Sequence, residues 1–387
     1  MTMSDRRQRR GERLRALTES SPATDMGKLL RTFWQPVAIG ESIAAGAKRP
    51  VRVLGENLML YRGQGGAPHL VGQRCAHRST VLYAGWVEGD EIRCMYHGWK
   101  FDGSGQCTER PAELDTGLPN VRIAGYPVRE YAGLIFAYLG PGPAPEFQLP
   151  RKDVCERKDG LIFARVQTWA CNWFQSVENA MDAVHVSYVH QKGRVGTFGQ
   201  AVKQGIPELE YVETDSGIRQ TATRGPGNVR VSDWTFPNSN HIRVPGPTAA
   251  DPWIDVCSWK VPVDDESQMR FTVWSLPPMD PQTEQRMRDH FETSGAYDPA
   301  EHHDELFFDE NYPDEPVFQL TSAQDYVAQV GQGTIVDREV EILGRSDAGI
   351  ALLRRICFRE MDAIREGRPT KAWRRLEEAA ELPIQVG

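Results

Sequence analysis

A surplus of positive charge is missing from this sequence: 45 Lys and Arg stand against 53 Asp and Glu, a formal net charge of -8. Phosphate backbones are bound by cations that dominate a face, so the balance argues against a general nucleic-acid binder. The exception is the run Arg6, Arg7, Arg9, Arg10, Arg13 and Arg15, which is expected to be a solvated or frayed N-terminus and not a site for an anionic partner. No apolar segment follows it, so it does not read as a secretory or twin-arginine signal. Long hydrophobic runs are absent too. With no stretch of roughly 18 apolar residues there is no candidate membrane span, and a cytoplasmic location is the expectation.

Cysteine is scarce and scattered, seven in 387 residues, too few and too dispersed for a disulfide framework in a chain long enough to bury a core. Cys107, Cys155, Cys171, Cys257 and Cys357 read as reduced, partly buried small apolar residues. Repeats and low-complexity segments are also lacking. The length favours two domains, and the stretch 140–160, rich in Pro, Gly and charge, places a boundary between them.

Before that boundary a short helix is expected over 26–38 behind an Asp25 cap, its apolar stripe of Leu29, Leu30, Phe33 and Trp34 stopping before Pro36. A hairpin follows around Gly55-Glu56-Asn57, then strands at 68–73, 121–129 and 134–139. Beyond the boundary come a strand at 161–169, a helix over 171–190, and strands at 207–213, 218–224, 229–236, 254–262 and 269–276. Helices are expected at 281–293, 318–330, 348–366 and 369–382. The first part is thus all-β, the second α+β with helices over one antiparallel sheet.

Two clusters carry chemistry. In the first, Cys75-Ala76-His77 is followed, after the 16 residues Arg78 to Arg93, by Cys94-Met95-Tyr96-His97. Each of two loops supplies one thiolate and one imidazole, the division a [2Fe-2S] centre needs when Cys binds one iron and His the other. Imidazoles leave such a cluster less negative and raise its potential to about -150 to +300 mV, against about -400 mV for plant-type ferredoxins. The competing reading is a Cys2His2 zinc site, although zinc ribbons and fingers usually show Cys-x2-Cys or His-x3-5-His pairs. Tyr96, Gly98 and Trp99 are expected to limit water around the sulfurs.

In the second, Asp182, His185 and His190 fall on the helix expected over 171–190. Asp182 and His185, three apart, share a face. His185 and His190, five apart, are rotated by about 140° on an ideal helix, so they meet one ion only if the helix ends or bulges between them. Two histidines and one carboxylate on one side of Fe(II) leave positions open for dioxygen. Asp182 sits too near the backbone to be that carboxylate and suits orienting an imidazole. Asp304, Asp309, Asp325 and Asp337 remain candidates that spacing does not separate. An oxygen-activating iron needs an electron supply and a redox cluster needs an acceptor, so each cluster strengthens the other.

With these motifs in this order, the chain resembles the Rieske non-haem iron aromatic-ring-hydroxylating oxygenases, in detail the phthalate 4,5-dioxygenase-like branch of their α subunits. The resemblance runs from about Gly27 to about Gly349 and includes Met26-Gly27-Lys28-Leu29-Leu30-Arg31, Gln324-Asp325 and Asp337-Arg338. It implies an N-terminal segment (1–34), a Rieske domain (35–150) and a catalytic domain of helix-grip type (151–387). It implies Cys75, His77, Cys94 and His97 as cluster ligands, and His185, His190 and Asp325 as ligands of a mononuclear Fe(II). Asp182 would bridge His185 to His97 of a neighbouring subunit, because the two centres of one chain lie too far apart for fast transfer. A homotrimer or multiple of trimers follows, fed with NAD(P)H electrons by a separate flavin and iron-sulfur reductase. The reaction implied is cis-dihydroxylation, or monooxygenation with loss of an alkyl group, of an aromatic substrate by O2.

Trp234, Phe236, Trp253, Trp259, Phe271 and Trp274 are candidates for an aromatic pocket lining, though strands bury such residues anyway. Arg194 and Arg243 are candidates for a substrate carboxylate, with surface charge as the plainer reading. Two rival functions remain: an electron carrier whose second domain only binds a partner, and a zinc-stapled binding protein.

Overall fold

The computed structural model describes residues 3–113, 120–147, 155–191, 205–248, 250–313 and 317–373. The chain divides into two compact units, one of Ser20–Ala23 and Gly27–Phe147, the other of Met1–Glu19, Thr24–Met26 and Gln148–Gly387. No helix among the described residues is long and apolar enough to cross a membrane.

The basic N-terminal run is a helix, α1 (Met3–Ala16), and not a frayed end. Leu14 and Leu17 are buried, while Arg13 and Arg15 pair with Asp362 and Glu339 at 3.0 and 2.7 Å; Arg7, Arg9 and Arg10 stay exposed. The helix expected over 26–38 is shorter: α2 (Asp25–Arg31) gives way to strand β1 (Trp34–Ile39). Pro36 lacks an N–H, and it sits on an edge strand beside a shift of register between Pro36 and Ala38, a position that tolerates a missing donor.

The smaller unit is all-β. Strands β2 (Lys48–Val53), β3 (Glu56–Arg62), β4 (Pro68–Gly72), β5 (Trp86–Glu88), β6 (Glu91–Arg93), β7 (Lys100–Phe101), β8 (Cys107–Glu109), β9 (Gly125–Tyr126), β10 (Val128–Tyr131) and β11 (Leu134–Tyr138) build it. They form antiparallel sheets ordered β1-β11-β10, β2-β3-β4-β9 and β5-β6-β7-β8. The strand expected over 121–129 is mostly irregular, with β9 and β10 at its end. Met59, Tyr61, Val71, Ile92 and Phe101 close a core that also holds Cys75 and Cys94.

The larger unit is built on one seven-stranded antiparallel sheet of β12 (Leu161–Trp169), β13 (Glu208–Glu213), β14 (Gly217–Thr223), β15 (Val229–Thr235), β16 (Ser239–Val244), β17 (Ile254–Pro262) and β18 (Gln268–Leu276), in the order β12-β18-β17-β16-β15-β14-β13. β16 escapes a sequence reading because one face is wholly polar (Ser239, His241, Arg243) and the other has only Ile242 and Val244 as apolar residues. The helix expected over 171–190 is broken into α3 (Trp173–Ala180), α4 (His185–Tyr188) and a 3-10 turn over Val189–Gln191. Asn172 caps α3 by accepting from the Phe174 N–H at 3.0 Å. Helices α5 (Pro281–Gly295), α6 (His303–Phe308), α7 (Val317–Val330) and α8 (Ala348–Arg365) follow. Of the last expected helix, 374–382 lies outside the described residues and 369–373 is not helical.

A buried ion network ties α3 to α8. Glu178 takes Arg338 Nη2 and Arg354 Nε, each at 2.6 Å, and Arg354 also reaches Glu341 at 2.6 Å. Removing one partner strands the others in a low dielectric, so Glu178→Ala is expected to cost about 3–5 kcal/mol of stability. The check is the shift of the urea unfolding midpoint of this unit, read against Glu341→Ala, whose carboxylate is more exposed and whose loss should cost less.

Candidate functional site

The two Cys/His loops are built alike. Cys75 lies in the connection after β4 and Cys94 directly after β6. In each, the N–H four residues on donates to the cysteine carbonyl, Ser79 to Cys75 at 2.9 Å and Gly98 to Cys94 at 3.1 Å. Both closing residues take left-handed backbone, φ +59 at Ser79 and +73 at Gly98, the geometry that turns a chain back within four residues. The thiols are buried, Cys75 at 3% and Cys94 at 1% exposure, while His77 is exposed and His97 half-buried. The imidazoles stand 4.5 Å apart between ring centroids, and Trp99 stacks on His77 at 4.7 Å with 6° between planes.

The fit to a metal group can be tested on these donors. A single tetrahedral ion needs ligand atoms about 3.8 Å apart. Among the described residues only one group of three or more ligand side chains lies within 4.8 Å, and it is not this quartet. Two thiols beside each other and two imidazoles beside each other make a divided donor set, which suits two bridged irons, one held by sulfur and one by nitrogen. Burial and the neighbouring Cys94 push the Cys75 thiol up to about 11, with backbone N–H groups of His77 and Arg78 pulling the other way; those N–H groups point where a cluster-bound sulfur would accept them. Trp99 shields the cluster side as expected, whereas Tyr96 is 53% exposed and shields little.

The group within 4.8 Å is His185, His190 and Asp325. Its geometry depends on the break after α3. Asp182 Oδ1 accepts from the N–H groups of Val184 and His185 at 2.8 and 3.2 Å, a local bond that competes with the helix and restarts it at His185. The tighter turn at Val189 then swings His190 round. Both Nε2 atoms end 3.7 Å from Asp325 Oδ1 on α7, too far for hydrogen bonds and close enough to share one ion. Of the four acids that spacing left open, Asp325 is the one brought to the histidines.

The surrounding side chains fit an ion as well. His190 Nδ1 lies 3.0 Å from Gln324 Oε1, which fixes Nδ1 as the protonated nitrogen and leaves ligation to Nε2. His185 Nδ1 is buried without a hydrogen bond, 3.8 Å from Asp182 Oδ2. Asn179 Nδ2 donates to Asp325 Oδ1 at 3.4 Å. Burial holds His185 below its ordinary value, in the neutral form a metal needs. For Asp325 burial pushes upward, but His190, His185, Arg270 and the Asn179 bond outweigh it and keep the carboxyl low and ionised. Gln324→Leu is expected to weaken iron binding about 10- to 100-fold, checked by iron retention against a graded chelator.

The triad lines a cavity of about 210 Å³. Its other wall is one face of the sheet, reached by alternate residues: Arg165 and Gln167 on β12, Arg270, Thr272 and Trp274 on β18, Ser258 and Lys260 on β17. Of the six expected aromatic residues only Trp274 reaches it. Trp259 and Phe271 fall on the opposite face of the strands and are buried there, because the side-chain period is two. Arg243 also points away, 3.5 Å from Asp255, and Arg194 lies outside the described residues. Sequence reading missed Gln324, Asn179, Lys260 and Arg270; each of the last two shows as the one basic residue of a strand rich in apolar ones.

A family model described as the Rieske [2Fe-2S] domain matches residues 33–127. The chain is 34% identical over 371 residues to the 5,5'-dehydrodivanillate O-demethylase oxygenase subunit of Sphingobium sp. (strain SYK-6), covering 92% of this chain and 81% of that protein. It is 29% identical over 374 residues to the phthalate 4,5-dioxygenase oxygenase subunit of Pseudomonas putida, covering 88% and 84%. Among solved structures, the oxygenase and ferredoxin complex of carbazole 1,9a-dioxygenase has a similar fold, with TM-score 0.62, 21% identity and coverage of 84% of this chain and 88% of that one. Identity of this order over most of both chains, on a fold that carries both ligand constellations, leads to one conclusion: the chain belongs to the Rieske non-haem iron oxygenases, as a terminal oxygenase component with a [2Fe-2S] cluster and a mononuclear iron.

Proposed function

We propose that Cys75, His77, Cys94 and His97 hold the [2Fe-2S] cluster, that His185, His190 and Asp325 hold the iron, and that this iron oxygenates an aromatic substrate in the cavity beside it. The convergence of His185, His190 and Asp325 on one point of a cavity wall carries this reading. When bound, the cluster supplies electrons and the mononuclear iron supplies oxygen activation. The chain's own residues do the rest. Gln324 and Asp182 orient the two imidazoles, Asn179 steadies the Asp325 carboxylate, and the sheet wall excludes water from the reacting face. An electron carrier would have no use for three ligand side chains turned inward onto a cavity.

With its thiols buried and its imidazoles turned outward, the histidine-bound iron would lie toward the surface of the smaller unit, where electrons enter and leave. In the proposed assembly Asp182 links His185 to His97 of a neighbouring copy within a homotrimer or a multiple of trimers, in the cytoplasm. The electrons come from NAD(P)H through a separate flavin and iron-sulfur reductase, with the structural neighbour seen in complex with ferredoxin as a precedent for a separate protein donor. The substrate is either cis-dihydroxylated or monooxygenated with loss of an O- or N-alkyl group; the similar O-demethylase and phthalate dioxygenase subunits span both outcomes. Iron and acid-labile sulfide analysis tests the pair of centres: three irons and two sulfides per chain are expected from one [2Fe-2S] cluster plus one mononuclear iron, and two irons would remove the oxygenase site.

A further inference from the structure

A buried sheet face normally presents apolar residues to its covering layer. On the cavity side of the seven-stranded sheet, β17 and β18 instead set Lys260 directly opposite Arg270, an arrangement of like charges that destabilises a pair of strands. Lys260 is buried and Arg270 half-buried, and both line the cavity. Their partners are neutral. Lys260 Nζ donates to Asn240 Oδ1 and to Ser258 Oγ, the latter at 2.6 Å; Arg270 lies over the Trp169 ring at 3.6 Å. Arg230, on β15 and facing the same cavity, has its Nε buried without a hydrogen bond.

No carboxylate among the described residues forms an ion pair with Lys260 or Arg270. The acid whose charge reaches Lys260, Arg270 and Arg230 is Asp325, and metal binding would engage that charge. Burial, then Arg270, drive the Lys260 ammonium well below its ordinary value, which states the same imbalance in another form. Cations kept in a low-dielectric cavity without a counter-ion are costly to the fold, so an anion that arrives from outside gains what the fold has withheld. Past this pair, the cavity wall turns apolar at Val256, Ile242 and Trp274, a surface suited to a ring.

We infer that Lys260 and Arg270 seat a carboxylate of the aromatic substrate, with the ring against Trp274 and Val256; this rests on the oxygenase reading of the cavity. The substrate class is then an aryl carboxylate and not a neutral arene. Arginine supplies a planar fork and lysine a point charge, so the two together can hold both oxygens of one carboxylate.

The test is calorimetric binding of matched pairs to the purified holoprotein: benzoate, phthalate, 3-methoxybenzoate and 4-phenoxybenzoate, each against its amide. At least one acid is expected to bind about 10- to 100-fold more tightly than its amide, and Lys260→Met and Arg270→Met are each expected to erase that margin, with Arg270→Lys restoring part of it. Melting curves give a second reading. Without ligand the Met variants are expected to melt at or above the parent, since an uncompensated charge is gone, while the upward shift caused by the acid disappears. Amides that bind as well as acids, a margin that survives both Met substitutions, or no acid binding at millimolar concentration would overturn the assignment. Iron and sulfide are measured on the same samples: a full complement with no preference for acids defeats this inference alone, whereas missing mononuclear iron defeats the oxygenase reading.

Discussion

Asp325→Ala is expected to yield a folded protein that keeps its red-brown cluster, lacks the mononuclear iron, and shows no substrate-dependent oxygen uptake. Asp325 supplies the oxygen on which both Nε2 atoms converge at 3.7 Å, and no other carboxylate of the described residues completes a group with His185 and His190. Two neutral imidazoles alone bind Fe(II) weakly, since a hard divalent ion draws much of its affinity from anionic oxygen. The side chain lines the cavity and accepts from Asn179, so its loss enlarges the cavity more than it disturbs the core. Iron analysis together with the visible spectrum of the cluster checks this. Retention of a third iron per chain would assign the ligand to a different acid.

The second large effect is expected for Asp182→Asn: turnover falling about 100-fold or more with both metal centres still loaded. The amide oxygen of asparagine can still accept from the Val184 and His185 N–H groups that Asp182 holds at 2.8 and 3.2 Å, so the restart of the helix survives. What is lost is the negative charge 3.8 Å from His185 Nδ1, and with it the proposed link toward a neighbouring His97. Steady-state oxygen uptake, paired with a single-turnover measurement on chemically reduced protein, checks the role. Unchanged turnover would leave Asp182 with a purely local task. Asp182→Ala, which removes the acceptor as well, is expected to lose iron in addition.

The contrast between these residues shows where sequence reading works. Cys75, His77, Cys94 and His97 are legible because their loops are short: the Cys and His of each lie within four residues, and local turns at Ser79 and Gly98 complete the geometry. The strands β12 and β17 were legible from end to end because hydrophobic spacing reflects burial on at least one face. The solvated half of the N-terminal run, Arg7, Arg9 and Arg10, was legible, but its helix was not, because charge density outweighs the thin apolar stripe that buries Leu14. The pocket aromatics were misjudged for a different reason. A large apolar side chain in a strand is equally at home on either face, and the register that puts Lys260 and Arg270 inside while Trp259 and Phe271 turn away is a property of the assembled sheet.

By itself, then, the sequence determined the two ligand motifs, their order, and the all-β and α+β character of the two units, all of which depend on neighbours within a few residues or on simple periodicity. Tertiary structure decided the rest: that His185 and His190, once the local Asp182 bond has broken the helix, meet Asp325 on α7 at one point, and that the wall opposite is basic. Delivering Asp325 needs segments more than a hundred residues apart to be packed together, and no local spacing encodes which of several acids or which face of a strand the packing will select.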